Sequence, residues 1–248
     1  MAAGSTEQRS AAAESRDPHA VRLMFDRVAP RYDLANHLLS GGIDFLWRAR
    51  AVRTVEAWGA KRILDLATGS GDLALALQRR LPEAEVTGAD FSTEMLKRAH
   101  AKGVKRTVIA DALALPFADG AFDCVTVAFG LRNMADWGGA LREMARVLEP
   151  RGNVLILDFA VPEGILRPAY RFYLHRCLPT VAALVTGQGD AYEYLGASIE
   201  SFPSGAAMEA LLRENGFTAP TSQPLTGGIA ALYTAEKADP AAQFDLSS

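Results

Sequence analysis

The chain has 248 residues, of which 49% are hydrophobic and 22% charged, and its formal net charge at pH 7 is -3. This composition is ordinary for a globular protein with a full hydrophobic core, and it lacks the basic excess that a dedicated nucleic-acid binder usually carries. Two cysteines, Cys124 and Cys177, give neither a disulfide framework nor a metal-ligand spacing. We therefore expect a cytoplasmic protein that binds neither nucleic acid nor a metal ion.

The two ends of the chain differ in composition from the rest. Residues 1–20 are rich in Ala, Ser, Glu and Arg without an apolar core of the secretory type, and they predict a mobile arm. Residues 238–248 predict a flexible tail. No stretch reaches the ~18–20 consecutive apolar residues of a membrane-spanning helix. Residues 21–237 are therefore expected to form a single domain.

From residue 61 onward, short apolar runs alternate with amphipathic segments. The apolar runs predict strands at 62–68, 85–91, 105–111, 122–130, 152–160 and 229–237. Helices are predicted at 72–81, at 92–102 with Ser92 as N-cap, at 137–148 up to the Pro150–Gly152 region, and in the segment that ends at Gly216. Continuously apolar strands separated by helices indicate a parallel sheet covered on both faces, so we expect a doubly wound α/β fold.

The first predicted strand leads into a glycine-rich loop, DLATGSGD, at 65–72. Gly69, Gly71 and Ala74 match the pattern G-x-G-x-x-A, and Asp90 ends the next strand 21 residues after Gly69. Glycines let backbone amides approach a ligand, and the later acid accepts hydrogen bonds from ribose hydroxyls. The arrangement predicts a nucleoside-binding site.

Two acids next to this loop bear on which nucleoside cofactor binds there. Asp65 lies in the strand before the loop, and Asp72 lies at the start of the following helix. Two carboxylates would repel a pyrophosphate but would attract an ammonium group, such as that of the methionine part of S-adenosylmethionine. Asp72 has an alternative role as the helix N-cap. Asp65, inside an apolar strand, has no comparable structural explanation.

The third predicted strand ends at Asp111 and Ala112. An acid at that level can accept a hydrogen bond from the exocyclic amino group of adenine, and the alternative is a turn-forming Asp. Together Asp65, Asp90 and Asp111 place one acid at the end of each of three successive strands. This constellation favours a class I S-adenosylmethionine-dependent methyltransferase.

The fourth predicted strand ends differently, in the stretch VTVAFGLRNMADW at 125–137. Its apolar run stops at Gly130 and is followed by Arg132 and Asn133. A helix cap or a surface turn would explain these two residues. In parallel sheets, however, ligands bind beyond the carboxyl ends of the strands, so we expect Arg132 and Asn133 to face the cofactor cleft.

Several longer stretches resemble the ubiquinone/menaquinone biosynthesis C-methyltransferase family. They are MFDRVAPRYDLANHLLSGGIDFLW (24–47), DLATGSGD (65–72), DALALPFADGAFDCVTVAFGLRNM (111–134), RVLEPRGNVLILDFAVP (146–162), DAYEYLGASIESFP (190–203) and GGIAALY (227–233). The resemblance implies a mostly parallel, seven-stranded, Rossmann-like sheet with N-terminal helices and a helical lid at 162–202. It also implies methyl transfer from S-adenosylmethionine to a ring carbon of a polyprenylated quinol.

The resemblance further implies which residues contact the cofactor. These are Ser70, Asp90, Asp111, Ala112 and Ala128. Two of them depart from common family types: the position of Ser70 is often Thr, which keeps the hydroxyl, and the position of Ala128 is often Ser, so that a hydroxyl is lost here. Asp44 stands where many members have His, which leaves its role open.

Methylation of a quinol carbon needs a group that stabilises phenolate character on a neighbouring oxygen. Arg132 is the candidate for that charge, and Asn133 is the candidate for holding a quinol oxygen. Tyr32 and Asp33 are further candidates for orienting the substrate or relaying a proton, with lid packing as the alternative for Tyr32.

The insertion at 162–202 is apolar, aromatic and basic at once. It is either a cap over the sheet or a lid with an apolar channel for the prenyl tail, resting on a membrane surface. We favour demethylmenaquinol as the acceptor, while a benzoquinol and a homodimeric assembly stay open. Another small-molecule methyltransferase, or a non-catalytic nucleoside-binding scaffold, are the alternative functions.

Overall fold

A computed structural model describes residues 42–177 and 196–239 of the chain. The strands in these ranges are β1 (Arg62–Leu66), β2 (Glu85–Asp90), β3 (Arg106–Ile109), β4 (Phe122–Ala128), β5 (Leu148–Phe159), β6 (Phe217–Leu225) and β7 (Ala230–Lys237). The helices are α1 (Asp44–Trp58), α2 (Asp72–Arg80), α3 (Thr93–Lys102), α4 (Trp137–Val147), α5 (Leu166–Phe172), α6 (196–201) and α7 (Ala206–Glu214). A π-helical turn, Tyr173–Cys177, continues α5.

The strands form one seven-stranded sheet in the order β3-β2-β1-β4-β5-β7-β6. Neighbouring strands from β3 to β5 are parallel, whereas β7 pairs antiparallel with both β5 and β6. This confirms the predicted doubly wound, mostly parallel, seven-stranded fold. Strand order reverses between β1 and β4, so the crevice for a ligand is expected at the carboxyl ends of these two strands.

Alternation along the strands divides the core into two layers. On β5, Leu155, Leu157 and Phe159 belong to one buried cluster, while Val154 and Ile156 belong to the other. Because successive strand residues point to opposite faces, a continuously apolar strand must be covered on both sides. Helices α1 and α2 cover the first face, and α4 and α7 cover the second. The first layer brings α1 directly against the loop that follows β1.

The structure corrects three details of the predicted elements. Strand β5 begins at Leu148 and runs through the Pro150–Gly152 region that was expected only to end a helix. Strand β6 was not predicted, because its sequence FTAPTSQPL contains two prolines and mostly polar residues. Asp72 is not an N-cap, since Gly71 occupies that position, whereas Ser92 caps α3 as predicted and accepts from the Met95 amide at 3.2 Å.

Several sequence predictions concern residues that the structure does not describe. The arm at 1–20, the helical segment before residue 42 and nearly all of the tail at 238–248 lie outside the described residues, as do residues 178–195 of the insertion. In the part of the chain that is described, no helix is long and apolar enough to cross a bilayer.

Candidate active site

Asp90 fixes the glycine loop from the neighbouring strand. Its Oδ2 accepts a hydrogen bond from the Gly69 amide at 2.8 Å, and its Oδ1 accepts one from the Ser92 amide at 2.9 Å. The side chain is buried, with 5% of its surface exposed. The loop therefore takes its shape from a carboxylate as well as from its own glycines, of which Gly71 has a φ of +85°. A Cβ at Gly71 would lie 2.5 Å from a methyl group of Val104.

Asp65 is a buried carboxylate beneath the same loop. It accepts hydrogen bonds from the hydroxyls of Thr68 at 2.6 Å and Thr126 at 2.8 Å. Burial raises the pKa of Asp65 from 3.8 to about 6, although the two hydroxyls and the Ala74 amide act to lower it. The hydrogen-bond partners of the carboxyl group are therefore all neutral, and its protonation can change when a charged ligand binds next to it.

A chain of alternating charges links α1 to the glycine loop. Asp44 and Arg48 form a buried ion pair one turn apart on α1, and Arg48 Nη2 lies 3.5 Å from Asp72 Oδ2. Lys102 donates to both Asp72 Oδ1 and Ser70 Oγ at 2.9 Å. Asp72 therefore has two cations beside it, which makes it a weaker candidate than Asp65 for the expected ammonium site. Asp44, whose role was open, is the buried partner of Arg48.

The end of β4 approaches the end of β1 closely. A Cβ at Gly130 would lie 2.5 Å from the Cβ of Ala67, so only glycine fits. Ala67 and Phe129 both have a positive φ, 52° and 58°. This conformation is uncommon for Ala and an outlier for a bulky residue such as Phe. Such strain is found where a fold holds the backbone in shape around a functional cleft.

Arg132 lies at the end of β4 as predicted, but as one half of a buried ion pair. Its Nη1 donates to Asp158 Oδ1 at 2.7 Å and to the Phe129 carbonyl, and its Cζ lies 5.3 Å from the ring centroid of Phe159. Only 5% of Arg132 is exposed. Burial raises the pKa of Asp158, and the charge of Arg132 opposes that shift. Asn133 Nδ2 makes a long contact, 3.4 Å, to the same Phe129 carbonyl.

Asp111 ends its strand in a tight turn. Its Oδ1 accepts a hydrogen bond from the Leu113 amide two residues on, at 2.9 Å, and the side chain is exposed. This contact is the turn-forming alternative considered for Asp111, and it leaves further acceptor capacity on the carboxylate. Ala112 follows it, half-buried.

The structure brings four of the predicted site residues, Asp65, Gly69, Ser70 and Ala128, into the lining of one cleft, whereas Arg132 and Asn133, expected to face it, are not among the lining residues. Ten residues line it at the switch point: Arg48, Asp65, Ala67, Thr68, Gly69, Ser70, Asp72, Leu73, Ala128 and Phe129. Of the candidates Tyr32 and Asp33, neither lies within the described residues. Among the described residues, no group of three or more His, Cys, Asp or Glu is placed to hold a metal ion.

Sequence reasoning missed three aromatic residues beside this cleft. Phe129, Phe159 and Trp47 pack with ring centroids 4.8–6.1 Å apart, and Trp47 Nε1 donates to Thr226 Oγ1 at 2.8 Å. Tyr170 on α5 lies near enough to Arg132 for that charge to lower its pKa, although burial raises the pKa more strongly. The stretches DFLW and LDFA, which contain Trp47 and Phe159, were signals that could have located these two residues.

Comparisons with known proteins agree on this chain's relatives. The model of the ubiE/COQ5 methyltransferase family matches residues 10–237. A demethylmenaquinone methyltransferase of Thermus thermophilus is 49% identical over 220 residues, covering 86% of this chain and all of that protein. A ubiquinone/menaquinone biosynthesis C-methyltransferase of Syntrophotalea carbinolica is 43% identical and covers 86% of this chain and 92% of its own.

Solved structures share the fold at low sequence identity. A Thermotoga maritima methyltransferase, described as a possible histamine N-methyltransferase, has a TM-score of 0.63 at 17% identity, covering 88% of this chain and 99% of its own. A Haemonchus contortus N-methyltransferase in complex with S-adenosylhomocysteine has a TM-score of 0.55 at 18% identity, covering 72% and 49%. These confirm the class I methyltransferase fold. The family match and the two relatives above 40% identity establish that the chain belongs to the ubiE/COQ5 methyltransferase family.

Proposed function

We propose that this protein transfers a methyl group from S-adenosylmethionine to a ring carbon of a polyprenylated quinol of the demethylmenaquinol type. The observation that carries the proposal is the shared edge of the sheet. The glycine loop held by Asp90 and the Arg132–Asn133 turn lie at the carboxyl ends of neighbouring strands, which supports a donor site and an acceptor site side by side at this edge.

The residues of the cleft fit the donor. Asp65, whose charge is balanced only by hydroxyls and a backbone amide, suits an ammonium group, and Asp90 and Asp111 suit ribose and adenine. When bound, S-adenosylmethionine supplies a methyl group already activated on a sulfonium. The residues proposed to hold it are Asp65, Gly69, Ser70, Gly71, Asp90, Asp111, Ala112 and Ala128.

The protein's proposed contribution at the quinol is electrostatic stabilisation of negative charge. Arg132 Nη1 is committed to Asp158 and to a carbonyl, whereas Nη2 and Nε donate no hydrogen bond within the described residues. Nη2 is the group proposed to face a quinol oxygen and to stabilise its negative charge, and Asn133 is proposed to orient that oxygen. Tyr32 stays a proposed third member. Tyr170 of α5 is added, because the charge of Arg132 acts to lower the pKa of its hydroxyl.

The insertion is proposed to be the lid and membrane-facing segment. Ile165 is 93% exposed and Phe172 is 64% exposed, and exposed Arg167 lies between them in sequence. Apolar and basic side chains together suit the surface of anionic lipid, where a polyprenylated substrate resides. We expect the protein to sediment with anionic vesicles, and Arg167→Glu combined with Phe172→Glu to reduce the bound fraction. Equal sedimentation of both forms would contradict this part of the proposal.

The function is tested with labelled S-adenosylmethionine and a panel of prenylated naphthoquinols and benzoquinols. We expect label on the ring of the demethylated naphthoquinol. Label on the benzoquinol alone would replace the acceptor named here, and label on neither, with intact cofactor binding, would favour a different small-molecule methyltransferase. Failure to bind S-adenosylmethionine in calorimetry would favour the non-catalytic scaffold instead.

A further inference from the structure

One cation of the donor cleft has no part in the function described so far. Arg48 lies on α1, lines the cleft together with the glycine loop, and is only 7% exposed. A guanidinium that is so strongly desolvated is costly to bury unless it has partners, and it is seldom placed in a cleft by packing alone. The partners of Arg48 therefore decide what it does.

Arg48 uses few of its donors within the protein. Nη1 donates to Asp44, and Nη2 lies 3.5 Å from Asp72, at the long end of hydrogen-bond distances. The Cζ atom lies 5.8 Å from the ring centroid of Phe129. A guanidinium carries five N–H donors, and the described part of the chain engages only one of those of Arg48 in a hydrogen bond. The remaining donors are available to the cleft.

Asp72 competes only weakly for the donors of Arg48. Asp72 has a closer cation in Lys102, whose Nζ lies 2.9 Å from Oδ1, whereas Arg48 is 3.5 Å from the other oxygen. Coulomb attraction falls with distance, so Lys102 is the main counterion of Asp72. Asp44 sits one turn back on α1, where it holds the guanidinium in place.

We propose that Arg48 binds the carboxylate of the amino-acid part of the methyl donor. This inference rests on the proposed function, because it assumes that S-adenosylmethionine occupies the cleft. The cleft then has a carboxylate, Asp65, for the donor's ammonium and a guanidinium for its carboxylate. Asp44 and Lys102 are positioning residues, since they act through Arg48 and Asp72. A planar guanidinium suits a carboxylate because two of its N–H groups can bind both oxygens.

The test compares two ligands that differ by the carboxylate alone. Calorimetry would measure the affinity of the unmodified protein and of Arg48→Met for S-adenosylmethionine and for its decarboxylated form. We expect the substitution to weaken S-adenosylmethionine binding roughly 10- to 100-fold, since a hydrogen-bonded charge pair is lost. Binding of the decarboxylated form should change by no more than about 2-fold, because the partner group is absent.

Two further variants keep the result interpretable. Arg48→Met breaks the buried ion pair with Asp44, so Asp44→Asn combined with Arg48→Met removes both charges of the pair and guards against loss of folding. Arg50→Met is the matched control, because Arg50 is an exposed arginine of the same helix, 3.4 Å from Gln223 Oε1 and not part of the cleft lining. Arg50→Met should bind both ligands as the unmodified protein does.

Each outcome bears on the proposal. A loss confined to the ligand that carries the carboxylate, in both the single and the double variant, supports it. An equal loss for both ligands would show that Arg48 only shapes the loop, and no loss for either would show that it faces no ligand; both results overturn it. If the unmodified protein binds neither ligand, the proposed function itself fails together with this inference.

Discussion

Asp65 on β1 and Asp158 on β5 are both buried carboxylates, one on each side of β4, yet they are balanced in different ways. Asp65 has two threonine hydroxyls as partners, whereas Asp158 has the guanidinium of Arg132. Burial raises the pKa of both. Hydroxyls serve a neutral or a charged carboxyl group alike, but an arginine needs the anion. We infer that the charge of Asp65 can respond to a bound ligand, whereas the Arg132–Asp158 pair keeps a fixed arrangement of charge.

The largest expected effect comes from removing the cation that pairs with Asp158, so that this carboxylate, like Asp65, has no charged partner. Arg132→Met leaves a fully buried carboxylate without its cation, which should cost ~3–5 kcal/mol of unfolding free energy, measured by urea denaturation. Combining it with Asp158→Asn should restore most of that stability because no unpaired charge remains.

Activity distinguishes the structural from the catalytic role of Arg132. In the restored double variant, kcat should stay about 10²-fold or more below that of the unmodified protein, since the charge proposed to face the quinol oxygen is gone. Affinity for S-adenosylhomocysteine should be unchanged. Recovery of kcat together with stability would assign Arg132 to the fold alone.

The second prediction isolates the ionisation of Asp65. Its pKa is about 6 in the folded protein against 3.8 when unfolded, so the folded state holds the proton more tightly. The stability that this proton contributes is full below pH 3.8 and is lost as the pH rises through about 6. In Asp65→Asn that loss is absent, so the variant should gain about 2–2.5 kcal/mol relative to the unmodified protein between pH 4 and pH 8.

The measurement for Asp65 is urea denaturation of both proteins at several pH values. The difference between them cancels the groups that titrate equally in each. A difference that is flat from pH 4 to pH 8 would mean that Asp65 ionises in the folded state as it does in the unfolded chain.

The smallest expected effect concerns the contact that joins the two sides. Gly130→Ala places a Cβ within 2.5 Å of the Ala67 Cβ, and this overpacking should cost roughly 1–3 kcal/mol by thermal or urea unfolding. Adding Ala67→Gly removes the opposing methyl group, and glycine also accepts the φ of 52° at that position. The double variant should therefore be more stable than Gly130→Ala alone. If it is not, β1 and β4 do not constrain each other through this contact.

The parallel half of the sheet could be predicted from sequence because of how it is buried. Strands β1, β2 and β4 are covered on both faces, so they appear as apolar runs such as RILDL and FDCVTVA. Strand β6 could not be predicted, since it lies at the edge and has little need of apolar residues. Its neighbour β7 was predicted, because it is mostly buried between β5 and β6.

Some residues of the site could be identified from local sequence patterns, whereas others are brought there only by tertiary packing. Gly69, Asp90 and Arg132 lie at strand ends that local patterns identify. Asp158 was missed although it interrupts the apolar run VLILDF in the way that Asp65 interrupts RILDL, so a signal for it existed. Arg48 had no such signal. Its pairing with Asp44 is an ordinary helical spacing, and only the packing of α1 on the glycine loop brings it to the cleft.

The composition of β6 has a consequence for how copies of this protein meet. Pro220 and Pro224 lack amide hydrogens, and the register of β6 against β7 shifts between Thr218 and Thr221. A strand from another molecule would thus meet an incomplete row of amide donors along the edge formed by β6. The opposite side, β3, spans only four residues and offers little length for pairing. Both edge strands therefore disfavour strand pairing between molecules, which protects this strand-rich chain from fibrous aggregation at high concentration.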